Sequence, residues 1–335
     1  MVMFVMQRMT IDLSLSLWPA FNRIPMILRR RFNPFTAIRF SWKNILFSAF
    51  TATAAFLLEV YFEVGIIVPV VVVAILGTAL SIILGFKTSS AYERWWEARQ
   101  IWGGITNESR TLARQVLTIV DPKNVPPELW EKSVQVVKRQ LAWINALRLQ
   151  LRGVKEDKAW RNSVSTFLSE GDFIFIMKKT NKVTWLAMLQ GDQIKELEAS
   201  NDLDTFSYIQ MDDTLTRITE LQGRAERIKS TPLPRPYEYY TLAFLNLFVL
   251  IFPFGIIDML HELSEAYLVF PITILSSWMF YQIYVLGKVL SNPFDNIKTD
   301  VALDSICRTV EIDLLEIVDD ENVPKPLKPA KGVLM

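Results

Sequence analysis

Histidine and cysteine are nearly missing from this chain: His261 and Cys307 are the sole examples of each in 335 residues. A single thiol excludes an internal disulfide framework and reads as a small apolar side chain. His261 has only Glu262 and Glu265 near it in sequence. Zinc requires three or four ligands at defined spacing, so this histidine reads as a solvated turn residue. No HExxH, GxxxxGK[ST], GxGxxG or GxSxG motif occurs, which leaves hydrolytic, phosphoryl-transfer and redox catalysis without support. The chain therefore reads as a non-enzyme without metal or other cofactor. An excess of one charge is lacking too. Lys and Arg total 36 against 35 Asp and Glu, a net charge of +1, without the concentrated basic footprint of a nucleic-acid binder. Strand patterns are scarce, and the expected fold is all-α.

Apolar and aromatic residues are abundant. The chain is 51% hydrophobic, with 21 Phe and 10 Trp, yet 21% charged. That is too apolar for water alone and too charged for membrane spans alone, so the chain should divide between the two. The 23 residues from Val64 to Phe86 carry no charge. At about 1.5 Å per helical residue they reach across a hydrocarbon core about 30 Å thick. Gly77, Thr78, Ser81 and Gly85 lie among the valines and isoleucines of this span, small enough for neighbouring helices to come close. The span runs without a break into Tyr92-Glu93-Arg94-Trp95-Trp96-Glu97, so the helix should leave the bilayer and continue. The two indoles would anchor that exit, and Arg94 is expected to pair with a carboxylate one turn on, such as Glu97.

Residues 1–40 read as a cytosolic N-terminal segment. The first 28 lack the uninterrupted apolar core and cleavage site of a signal peptide, reading instead as an amphipathic or poorly ordered leader, and Met9 would serve as a start. Arg29, Arg30, Arg31, Arg39 and Lys43 precede a charge-free run from Ile45 to Leu58, the first span, which extends through Phe62 to a turn at Gly65. The second span, Ile66 to Phe86, returns to Lys87, Arg94 and Arg99 and completes a membrane unit over residues 41–99. Residues 100–237 read as a helical cytosolic region. Within it, Glu128 to Arg152 repeats Val134, Val137, Leu141, Ile144 and Leu147 or Leu151, and Asp204 to Lys229 repeats Leu215, Ile218, Leu221 and Ile228. Both match a helix with one buried stripe. Asp121-Pro122, Pro126-Pro127 and the prolines at 232, 234 and 236 break the chain around them. Residues 238–290 hold a third span, Tyr239 to Ile257, an acidic connection from Asp258 to Glu265, and a fourth span, Ala266 to Gly287, ending at Lys288. Residues 291–335 form a C-terminal segment whose prolines predict an unstructured tail after Asp319. The basic ends of all four spans agree on one orientation in a bacterial inner membrane, with both termini cytoplasmic and the acidic turns outside.

Three segments carry a resemblance. GFKTSSAYERWWEARQIWGGITNESR, from Gly85 to Arg110, resembles the signature of the bestrophin family. LSNPFDNIKTD, from Leu290 to Asp300, is similar to the segment that follows that family's last span, and RFNPFTAIRFSWKN, from Arg31 to Asn44, to its pre-membrane segment. With the matching spans they cover most of Arg31 to Ile317. The resemblance implies a homopentamer in lipid that passes small monovalent ions, with the second span lining its axis. On spacing alone, Thr78, Ile82 and Phe86 advance by about 400° per step and share one slowly drifting face, which either lines a pore or packs on another span. The resemblance makes that face the pore neck, an apolar constriction that gates by size and dewetting. Thr78 departs from the larger aliphatic residue of several members. A second, cytosolic constriction of the family aligns near Tyr208 or Ile209. Vertebrate members place a calcium clasp of clustered acids after Asn-Pro-Phe. Here Asp295, Asn296, Ile297, Lys298, Thr299 and Asp300 break the acidic run, so no tight calcium site is expected.

Chloride or another small anion is what the resemblance implies as cargo, and the outward N-terminus of the second span favours it. Glu59, Glu63, Asp258, Glu262 and Glu265 crowd the same side and attract cations, which keeps a monovalent cation (sodium) channel open. A carrier would more often show an internal repeat and broken spans, and none is seen. A non-conducting scaffold whose cytosolic helices bind a partner is the remaining reading.

Overall fold

Prolines and side-chain caps set most of the helix boundaries. The structure, a computed structural model, describes residues 34–64, 68–119, 126–199, 204–297 and 299–328. The leader and the basic residues before position 34, the turn at Gly65, the break at Asp121-Pro122, Lys298 and the chain beyond 328 lie outside the described residues. Among those described there is no strand, as the sparse strand signals predicted.

Helix α1 (Pro34–Phe56) continues into a short π-helical turn, Leu57–Tyr61. After Pro69, α2 (Val70–Ile119) runs for 50 residues, so the second span and its charged continuation are one rod. Helix α3 (Pro127–Leu151) starts with proline at its first position, where the missing N–H costs nothing, and stops before Gly153, whose φ of 66° suits only glycine without strain. Three helices follow: α4 (Asp157–Val164), α5 (Glu170–Met177) and α6 (Lys182–Ala199). Helix α7 (Thr205–Ser230) is capped by Asp204, whose carboxylate accepts from the N–H groups of Phe206 at 2.9 Å and Ser207 at 3.1 Å. Helices α8 (Arg235–Glu262), α9 (Val269–Leu290) and α10 (Leu303–Ile317) complete the chain. Helix α8 extends beyond the expected end of the third span to Glu262, which shortens the acidic connection.

Among the described residues, four helical stretches are long and apolar enough to cross a membrane: Ser41–Tyr61, Val70–Thr118, Pro236–Glu262 and Ala266–Leu290. Helix α1 packs on α9 and α8, and the upper half of α2 on both of the latter. Close approach depends on small residues. The ring of Phe248 lies 3.2 Å from where a Cβ of Gly77 would stand, and a Cβ on Gly255 of α8 would run into Val73 Cγ2. The first of these glycines was anticipated from sequence; the second was not. A Cβ on Gly85 would meet nothing within 4 Å among the described residues.

The lower half of α2 packs with α7, α10 and α3 around a second core that includes Trp102, Trp143, Ile144 and Leu147. One buried stripe was expected on α3, but every residue from Gln140 to Leu147 is buried. Contacts with α2, α6, α10 and α4 explain this, because a helix with neighbours on all sides has no solvent face. The expected unstructured tail is also corrected at its start. Lys138 Nζ bridges Asp320 at 2.8 Å, and Val323 packs on the core.

Candidate functional site

Helix α2 has two faces. Val73, Leu80, Leu84, Lys87, Ala91, Trp95 and Ala98 are buried at helical spacing against α8, α9 and the second core. Between them runs a face left open, on which Thr78, Ser81, Ile82, Gly85, Phe86 and Ser89 are all exposed. The three residues expected at the neck thus share the open face, with Ile82 54% and Phe86 67% exposed. Thr78 and Ser81 donate their hydroxyls to the carbonyls of Ala74 and Gly77, each at 2.8 Å, so neither presents a free donor. From Val70 to Phe86 the face carries no charge.

Below the span the expected pairing of Arg94 with Glu97 is replaced by other contacts. Arg94 donates through Nε to the carbonyl of Ser291 at 2.7 Å and through its other arm to that of Ile228. Glu97 is held instead by Arg227 at 2.8 Å and Arg224 at 3.7 Å. The reason is that the last turns of α7 and α9 end beside α2 with unpaired carbonyls, which a planar guanidinium reaches with two donors at once. Trp95, expected at the lipid boundary, is buried and donates its indole N–H to the Thr299 carbonyl at 3.0 Å. Only Trp96 remains exposed. Arg94 and Trp95 therefore clamp the segment after α9 to the helix that carries the open face.

In that segment Pro293 and Phe294 are buried, and Asp295 bonds Lys229 at 2.7 Å. Asp300 turns inward, 7% exposed, and accepts from the Ile297 N–H at 3.2 Å. Burial pushes its carboxyl up to about 6, against the pull of the Ile297 and Asn296 backbone hydrogen bonds. A carboxyl raised above its unfolded value near 4 costs stability when ionised. That cost is complete above about pH 6 and vanishes as pH falls below about 4. Asp300→Asn is therefore expected to stabilise the protein by about 2–3 kcal/mol at pH 7.5 and by little at pH 4. Thermal unfolding in detergent at the two pH values checks this, and equal gains at both would contradict it.

At the end of α7 far from the apolar spans, Tyr208 and Ile209 lie in its first two turns. Tyr208 is half-buried on the core, Ile209 is exposed, and the neighbouring Phe206 is more exposed still. Sequence reasoning passed over Phe206, although an aromatic residue just inside an Asp N-cap was there to be read. It read Lys87 as a charge at the boundary of the span, whereas the side chain is buried, which no local pattern announced. His261 is exposed in the last turn of α8. Cys307 is buried, and burial pushes its thiol up to about 12, consistent with an inert apolar role.

Similarity to other proteins extends over most of the chain. The family profile Bestrophin_2, described as bacterial/fungal bestrophin protein, matches residues 36–316. The voltage-dependent anion channel-forming protein YneE of Escherichia coli K12 is 28% identical over 292 residues, 87% of this chain and 90% of that protein. A Mesorhizobium japonicum protein of the same description, mll4386, is 28% identical over 261 residues, 77% of each chain. Among solved structures, a bacterial bestrophin homologue from Klebsiella pneumoniae superimposes with a TM-score of 0.75 at 26% identity, over 84% of this chain and 99% of its own. With the profile spanning all four candidate membrane helices and the helical bundle between them, the chain belongs to the bacterial and fungal bestrophin family.

Proposed function

We propose that five copies of this chain surround α2 and form a channel for small monovalent anions, chloride first, in the bacterial inner membrane. The observation that carries the proposal is the open face of α2. A helix facing lipid is expected to be uniformly apolar, whereas this face mixes Thr78, Ser81, Gly85 and Ser89 with two bulky side chains, Ile82 and Phe86. Such a face suits a water-filled path narrowed by a short apolar neck. Thr78, Ile82 and Phe86 form its three layers, and ions cross partly dehydrated, with wider vestibules on either side. Helices α3 to α7 and α10 make the cytosolic vestibule, and Tyr208 and Ile209 form its second constriction. Both termini lie in the cytoplasm. Conduction is passive, and the names of the Escherichia coli and Mesorhizobium relatives, anion channel-forming proteins, agree with this reading.

The acids at the opposite end, Glu59, Glu63, Asp258, Glu262 and Glu265, favour a second reading, a monovalent cation channel of the same architecture. Mass in detergent gives the subunit number. The reversal potential in planar bilayers under a tenfold NaCl gradient separates the two readings. Reversal near the chloride equilibrium potential is expected. Reversal near the sodium potential would transfer the assignment to cations, and a reproducible lack of current would leave a non-conducting scaffold or carrier.

A further inference from the structure

Lys87 is the first charge after 23 uncharged residues, at the point where α2 leaves the apolar run. A lysine at such a boundary commonly extends its ammonium into the headgroups. Lys288 of α9 is free to do so, its side chain 59% exposed beside Glu238 at 3.3 Å. Lys87 does the opposite. It is 2% exposed, its Nζ has no hydrogen-bond partner among the described residues, and the ammonium stands 4.0 Å from the centroid of the Tyr284 ring. The Tyr284 hydroxyl donates in turn to Glu238 at 3.3 Å, the carboxylate that also holds Lys288. Gly287 lets α9 close over this group: a Cβ there would lie 3.3 Å from Thr88 Oγ1 and 3.5 Å from Lys87 Cγ.

A buried ammonium without an acceptor is costly, and an apolar side chain would join α2 to α9 more cheaply. An ionisable group retained at such a depth points to a functional role. Two lysines against one glutamate leave one positive charge in this cluster. Lys87 directly follows Phe86, Cα to Cα about 3.8 Å. Burial shields its charge from salt and water, so its field reaches the base of the neck with less screening than an exposed charge would have.

We propose that Lys87 is a selectivity-determining residue, a dry cation that recurs in each subunit at the cytosolic end of the neck and favours anions over cations there. The inference rests on the anion-channel reading. Its test compares the chloride-to-sodium permeability ratio of the wild type, Lys87→Met, Lys87→Arg and Glu238→Gln, each full-length and purified, in planar bilayers under a tenfold NaCl gradient. The ratio is independent of how many channels insert, so a lower yield of folded protein does not imitate the effect. Lys87→Met is expected to lower it by about threefold or more, Lys87→Arg to preserve it, and Glu238→Gln to raise it. Should Lys87→Met fail to fold, the opposite shift in Glu238→Gln still decides. A chloride-selective wild type whose ratio is unchanged by Lys87→Met or Glu238→Gln overturns the role of Lys87 and leaves the channel standing. Equal losses in Lys87→Met and Lys87→Arg would reassign the residue to packing. A wild type that passes no chloride overturns both proposals.

Discussion

Replacing Ile82 and Phe86 together by alanine is expected to raise single-channel conductance severalfold and to weaken discrimination between small and large permeant ions. Both side chains stand on the open face of α2 and take little part in the packing of the chain. On the proposed channel reading, removing them would widen the constriction and lower the apolar barrier to wetting, while the buried face of Leu80, Leu84 and Lys87 would still seat the helix. Each single substitution should give a smaller change in the same direction. Single-channel recording in planar bilayers measures it. Conductance and ion discrimination equal to the wild type would remove the neck from this face.

Asp304→Ala is expected to cost about 3–5 kcal/mol, enough to lower the yield of folded protein severely. Asp304 opens α10 and bonds two arginines at the end of α3, Arg152 at 2.6 Å and Arg148 through its other oxygen. All three are largely buried. Its loss leaves two guanidinium groups in the core without their counterion, a larger penalty than the pair itself was worth. Burial alone would push the Asp304 carboxyl up, but hydrogen bonds and charge from Arg152, then Arg148, more than offset it and hold the group below the ordinary carboxylate range. For a depressed acid, the stabilisation is complete above its unfolded value near 4 and is lost as pH falls through the folded value beneath it. The wild type should therefore lose this contribution only in strong acid. The melting temperature in detergent, followed against pH, shows both effects. An Asp304→Ala protein that melts with the wild type at neutral pH would contradict the account.

The four membrane helices were legible in the sequence because their signal is local: a charge-free run such as Val64 to Phe86 needs no partner to be recognised. The unbroken passage of α2 into its charged half was legible for the same reason, and so was the common face of Thr78, Ile82 and Phe86, which follows from spacing alone. What was misread depends on neighbours far away in sequence. Arg94 was assigned to Glu97 because an acid one turn on is the only partner a single helix can offer. Its actual partners are carbonyls 134 and 197 positions away, exposed by the ends of α7 and α9. Trp95 and Lys87 were likewise read as boundary residues, since nothing local says that α9 and the segment after it will cover them. The burial of α3 on every side is a property of the bundle, and its own periodicity carried only part of it. Gly255 escaped notice because its requirement comes from Val73 on another helix.

The central claim is that the open face of α2 lines the ion path, and a single cysteine tests it most directly. The native chain has one thiol, Cys307, buried and held protonated by its surroundings, so Ile82→Cys would present the one reactive site to a small water-soluble methanethiosulfonate reagent. The account predicts that the reagent reduces the current of Ile82→Cys channels within seconds of addition, leaves wild-type current unchanged, and is reversed by a reducing agent. A thiol at position 82 that is modified with no change in current, or that reacts only with a lipid-soluble reagent, would place this face against the membrane and contradict the account.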